Sequence, residues 1–174
     1  FGRISPTSAS AVEKELAGRI PMIIDGGACR EGLESTIIRP EISAEAGKKG
    51  VLIHLLRAGP VTKEMLQRFG KVVRVKKNRS EEAPEAPGQL SSHYAPVTPL
   101  RLLSNPSEFE PEPDKKYGLL SYCGSEKAGF IGLHDWSAVE QLSPGNGKLA
   151  EAAVRFFYLL RVLDESGVDE IIAK

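Results

Sequence analysis

"KLAEAAVRFFYLLRVLDESGVDEIIA", residues 148–173, decides the fold. Its first twenty residues read as one helix of about five turns, and "DEIIA" reads as the strand that follows it. Two shorter apolar runs upstream, "PLRLLS" (99–104) and "YGLLSYC" (117–123), also read as strands. Strand, strand, helix, strand is the order of a small three-layer α/β unit with a largely parallel sheet. Residues 123–146 carry no pattern that assigns them.

Working outward, "SEEAPEAPGQLSSHYAPVTP" (80–99) holds four prolines, few aliphatics and a cluster of acids. That composition reads as an interdomain linker. The chain therefore divides into a first domain (1–79), a linker (80–99) and a C-terminal domain (100–174). In the first domain, "SPTSASAVEKELAG" (5–18) opens like a helix, with Ser5 as N-cap, Pro6 at the first helical position and Gly18 just past the end. "PMIIDGG" (21–27) reads as a short buried strand, "STIIRP" (35–40) as a strand ended by Pro40, and "VLIHLLRAGP" (51–60) as a third strand closed by a Gly-Pro turn. Thr62 caps a short helix, "KEMLQRF" (63–69), and "KVVRVKK" (71–77) alternates like a half-exposed strand.

The composition, 41% hydrophobic and 26% charged, is that of a globular chain rather than a disordered one. Its apolar runs fall far short of the roughly 18 residues a spanning helix needs, and a cytoplasmic protein with no membrane partner is expected. Cys29 and Cys123 lie far apart with no CxxC, which indicates neither a disulfide framework nor a zinc site. The zero net charge conceals a split: residues 1–79 hold 15 Lys+Arg against 8 Asp+Glu, and residues 80–174 hold 8 against 15. The first half suits an anion.

Several residues could carry chemistry. Ser5 and Thr7 sit at an expected helix N-terminus, where capping and anion binding are both open and compatible. "DGGACREGLEST" (25–36) places a glycine-rich loop between two apolar runs and delivers Ser35 and Thr36 to the mouth of a strand. No GxSxG elbow surrounds Ser35, so ligand binding is favoured over covalent catalysis. Cys29, with no histidine near it in sequence, reads as an incidental thiol. Arg57 ends an apolar strand, where its planar donors suit phosphate oxygens, although a plain surface arginine fits as well. His93 and Tyr94 lie in the linker and either dock on the first domain or reach into a site. His54, flanked by aliphatics, reads as a satisfied core histidine, while His134 has no readable context. "RFGKVVRVKKNR" (68–79) carries six basic residues and no acid, a weak sign of RNA binding.

Four segments converge on one resemblance: "GRISPTSA", "IIDGGACREGLESTII", "LLRAGPVT" and "APGQLSSHYAP". Their order and spacing resemble threonylcarbamoyl-AMP synthases, the YrdC-like family that begins the threonylcarbamoyl-adenosine modification of tRNA. "LRVLDESGVDEIIAK" resembles the C-terminal domain of that family's long form. The resemblance implies the second half of a YrdC-like twisted mixed-sheet domain joined to a Rossmann-like domain. It implies a nucleotidyltransferase that makes threonylcarbamoyl-AMP and pyrophosphate from ATP, bicarbonate and L-threonine, with Mg2+ accompanying ATP. By position, Ser5, Arg57 and Tyr94 are the expected ATP contacts and Ser35 the expected threonine contact. Thr36 and His93 are secondary, and no catalytic nucleophile is implied. Downstream tRNA-modification proteins are implied partners, and a tRNA or double-stranded RNA-binding module without catalysis is the alternative. The chain starts at Phe1, midway through the resembled synthase domain. Its upstream lysine and arginine contacts would then lie outside the chain, which is expected to be inactive alone.

Overall fold

The computed structural model describes residues 2–75, 94–124, 129–145 and 147–174. The chain forms two compact units: Phe1–Gly2 with Leu33–Tyr94, and Arg3–Gly32 with Ala95–Lys174. Both are α/β. Most of the expected linker, residues 80–93, and His93 within it lie outside the described residues.

The first unit is built on a three-stranded sheet in the order β1 (Ile37–Ile42), β2 (Val51–Arg57), β3 (Lys71–Arg74). β1 and β2 are antiparallel, joined through a 3-10 segment, Ala44–Lys49, whose entry Ser43 caps by accepting from the Glu45 N–H. β2 and β3 are parallel, connected through the short helix α2 (Lys63–Leu66). Thr62 caps α2 as expected, its hydroxyl accepting from the Met65 N–H at 3.4 Å. Alternate β2 side chains, Ile53 and Leu55, pack with Leu66 into a small core flanked by Val51 and Val72. Pro40 does not end β1, which continues to Ile42. The reason is position: β1 is the edge of the described sheet, where a residue without an N–H is tolerated.

The pairing of β1 with β2 slips between Ile37, opposite Arg57, and Ile38, opposite Leu55. Leu56 is thus an extra residue on β2, a bulge that bends the strand just ahead of Arg57.

The second unit contains a four-stranded parallel sheet in the order β4 (Leu100–Leu102), β7 (Glu170–Ala173), β5 (Tyr117–Ser121), β6 (Ala138–Gln141). β5 is buried at every position, as expected of an inner parallel strand covered on both faces. The long helix α3 (Leu149–Asp164) covers one face, with Leu163 against Gly118 and Leu159 and Leu160 buried. The opposite face carries Tyr117, Leu119 and Ile172 under Leu103, Phe109 and Phe130, with Trp136 packed beside them. There His134 gains the context its sequence lacked, edge-on to Tyr117 at 5.5 Å and to Trp136 at 5.4 Å. The Trp136 indole N–H donates to the Phe130 carbonyl at 2.9 Å, which anchors the ring.

β6 falls inside the stretch left unassigned. "SAVEQ" is short and half polar, and its strand character comes from pairing with β5.

Helix α1 (Ala9–Leu16) belongs to this second unit. Its N-cap is Ser8 rather than Ser5, and its start is three residues later than Pro6 would give. The Thr7 carbonyl accepts from the Cys29 N–H at 2.9 Å, while the Ala11 N–H turns to the Ser8 hydroxyl at 3.3 Å. Segment 5–7 is therefore not helical. Gly18 does follow the helix with φ of +74°. The apolar run 21–24 is not a buried strand: Met22 is 73% and Ile24 85% exposed. A run becomes a strand only when a neighbour takes its backbone bonds, and no described strand pairs with it.

Arg161 of α3 holds this segment, donating to the Glu15 carboxylate at 2.9 Å and to the Ile4 carbonyl at 2.8 Å. Its guanidinium keeps the Glu15 carboxyl below the usual carboxylate range, with Arg3 adding a weaker pull. Gly32 closes the segment against α3 so tightly that a Cβ there would lie 1.9 Å from the Val154 carbonyl oxygen.

Candidate functional site

The first unit brings three of the four expected site residues together on Arg57. Its Nε donates to the Ser35 carbonyl at 2.8 Å, its Nη2 to the Ser35 hydroxyl at 3.0 Å, and its Nη1 to the Tyr94 hydroxyl at 2.7 Å. These partners lie 22 and 37 residues away along the chain. The strand ending at Arg57 and the loop leading into β1 are thus stitched by one planar fork, the geometry a guanidinium supplies and an ammonium does not.

Two features fix the surroundings. Thr36 Oγ1 donates to the Val61 carbonyl at 2.8 Å and accepts from the Val61 N–H at 3.1 Å, locking "EST" to the turn after β2. Gly59 in that turn has no room for a side chain, since a Cβ would lie 2.4 Å from the Glu34 carbonyl oxygen and 2.5 Å from the Thr36 nitrogen. Here glycine is required by close approach of two backbones.

Tyr94 has φ of +60°, unusual for a residue with a bulky side chain. Such strain persists only where the surroundings hold it, and the bond to Arg57 is one such hold. Glu34 joins the cluster without having been singled out by the sequence pattern. Its Oε2 lies 3.5 Å from Arg57 Nη2, an ion pair beside the three hydrogen bonds. The signal was present, a carboxylate directly before the serine, but nothing in the pattern tied it to an arginine twenty-three positions on.

Ser5 lies in the second unit, half-buried and ahead of α1. His54 sits on β2 with its Nε2 2.8 Å from Glu41 Oε2, a paired histidine of the sheet. Cys29 is an exposed free thiol. Among the described residues, no group of three or more His, Cys, Asp or Glu side chains could hold a metal ion. The carboxylate beside Arg57 faces the guanidinium. No helix among them is long and apolar enough to cross a membrane.

The chain is a mixed α/β protein that gathers a guanidinium, a hydroxyl and a phenol at the end of a bulged strand. The family model described as "Threonylcarbamoyl-AMP synthase, C-terminal domain" matches residues 61–174, and the chain belongs to that family. Curated relatives carry the same name. The Bacillus subtilis threonylcarbamoyl-AMP synthase is 33% identical over 183 aligned residues, and that of Pyrococcus abyssi 30% over 180, each covering 99% of this chain and 49% of the relative. The Schizosaccharomyces pombe protein is 29% identical over 99% of this chain and 45% of its own length. The chain spans about half the length of the curated relatives it matches. The crystal structure of P. abyssi Sua5 complexed with L-threonine superposes with a TM-score of 0.71 at 29% identity, over 99% of this chain and 49% of that one. A P. abyssi Sua5 variant with an adjacent histidine and tyrosine replaced by alanine gives a TM-score of 0.69 at 28% identity, over 99% of this chain and 48% of that one.

Proposed function

We propose that this chain is the C-terminal half of a threonylcarbamoyl-AMP synthase, a nucleotidyltransferase that makes threonylcarbamoyl-AMP and pyrophosphate from ATP, bicarbonate and L-threonine for tRNA modification. The observation that carries the reading is the convergence of Ser35 and Tyr94 on Arg57 in a chain of this family. The sheet of the first unit is then the second half of a YrdC-like twisted sheet, and the parallel sheet of the second unit a small Rossmann-like domain.

In this reading Arg57 neutralises phosphate oxygens of ATP, and Tyr94, held at its hydroxyl by Arg57, lies against the nucleotide. Ser35 orients the threonine. The work is placement and electrostatics: donors fixed before the ligands arrive stabilise charge developing on the leaving pyrophosphate. The serine is spent as a hydrogen-bond partner, and no protein nucleophile is invoked. Magnesium travels on the phosphates rather than on side chains of this chain. His93–Tyr94 is the His–Tyr dipeptide of this sequence, the same pair of residue types altered in the solved P. abyssi variant. The binding of L-threonine by the P. abyssi protein supports the amino-acid site. The RNA-binding alternative finds no support among these relatives.

Pyrophosphate release by the full-length protein that contains this chain, with threonine and bicarbonate both required, tests the activity. Its absence would overturn the reading. The chain alone is expected to release none. Arg57→Ala is expected to weaken ATP binding by about tenfold or more, from the loss of a charge-assisted contact.

A further inference from the structure

We infer that Glu34 is a resident counter-anion of Arg57, exchanged for a phosphate oxygen when nucleotide binds. This rests on the nucleotide reading of Arg57 and specifies what that arginine holds beforehand. A guanidinium offers five N–H donors. Three are committed to Ser35 O, Ser35 Oγ and Tyr94 Oη at 2.7–3.0 Å, all of them neutral partners. The charged partner is the distant one: Glu34 Oε2 stands 3.5 Å from Nη2, close enough for ionic attraction and too far for a strong hydrogen bond.

The burial of the two groups differs in the direction exchange requires. The Arg57 side chain is 14% exposed and that of Glu34 32%. A mostly buried cation needs an anion nearby, whereas the more exposed carboxylate loses less by turning to water. The neutral bonds can stay and keep the guanidinium aimed while the carboxylate leaves. Gly59 packs against the Glu34 carbonyl oxygen, so the backbone is pinned and the movement is confined to the side chain.

Exchange sets a threshold on the ligand. An incoming anion must offer more than the single charge it displaces, which favours a polyphosphate over a monoanion. Glu34 in this role is a positioning and selectivity residue, and it takes no part in bond making.

Calorimetric titration of the full-length protein with ATP and with inorganic pyrophosphate tests this, for wild type, Glu34→Gln, Glu34→Asp, Arg57→Ala and the Glu34→Gln/Arg57→Ala pair. Glu34→Gln is expected to bind both ligands about two- to fivefold more tightly, the range of a partly exposed ion pair. Glu34→Asp should track the wild type, and the gain from Glu34→Gln should vanish in the Arg57→Ala background. If Arg57→Ala binds ATP as well as wild type does, the nucleotide reading itself fails. If Arg57→Ala is weak yet Glu34→Gln shows no gain, or Glu34→Asp behaves as Glu34→Gln does, the exchange is refuted and the nucleotide reading stands. Equal melting temperatures for the Glu34 variants exclude misfolding as the cause.

Discussion

Replacing Gly59 by alanine should disable the site while leaving every ligand-facing residue unsubstituted. The added Cβ would lie 2.4 Å from the Glu34 carbonyl oxygen, 2.5 Å from the Thr36 nitrogen and 2.7 Å from the Ser35 carbonyl carbon. All three are backbone atoms, and ordinary contact begins near 3.4 Å, so the two segments must part by about 1 Å. Ser35 hangs between them. Its carbonyl and hydroxyl meet Arg57 at 2.8 and 3.0 Å, and an added ångström takes both past hydrogen-bonding range. Overpacking of this kind costs about 1–3 kcal/mol, which at about 2–4 °C per kcal/mol lowers the melting temperature of a chain this size measurably. The assay is paired: thermal melting for stability, and ATP and threonine titration of the full-length protein for the site. Threonine binding should fall alongside ATP binding, because Ser35 both orients the threonine and holds the Arg57 guanidinium in place. A Gly59→Ala protein with unchanged melting and unchanged affinity for both ligands would refute the reasoning.

Other outcomes follow from single contacts. Thr36→Val keeps the shape of the side chain and removes both bonds to Val61, so it should cost about 1–3 kcal/mol by urea unfolding and loosen the turn that carries Gly59. Gly32→Ala should lower the melting temperature more sharply, since the Cβ would meet the Val154 carbonyl oxygen of α3 at 1.9 Å. Glu15→Gln removes the carboxylate whose pKa Arg161 holds low. A depressed acid stabilises the fold above its unfolded value, about 4.3, and that contribution is lost as pH falls through the lower folded value. The variant should therefore be less stable than wild type at neutral pH, with the gap closing on acidification below pH 4 in melts taken across that range.

Long periodic segments were legible and contextual ones were not. α3 and β7 carry their own pattern, and so does β2, because each buries a face whose spacing shows in one dimension. The run 21–24 shares that apolar character yet forms no strand, since pairing is a property of two segments and the sequence of one cannot display it. β6 fails in the opposite sense, being too short and too polar to announce itself while β5 supplies the missing partner. At α1 the pattern pointed to Ser5, and the cap is Ser8. The bond from Cys29 N–H to the Thr7 carbonyl, made across twenty-two positions, keeps segment 5–7 out of the helix and decides for Ser8. Within the site, the resemblance located Ser35, Arg57 and Tyr94, while periodicity alone left Arg57 as a possible surface residue. Glu34 and Gly59 needed coordinates, because their meaning lies in what stands opposite them.

The slipped pairing at Leu56 gives this protein a vulnerability of a different kind from any substitution. Arg57 occupies its place by counting: one residue more on β2 than on β1 sets the side of the sheet from which the guanidinium emerges. Removing Leu56 would restore strict alternation and send the arginine to the other side with Ser35, Arg57 and Tyr94 all still present in the sequence. For this family member, an alignment gap at that point is a more serious event than a mismatch.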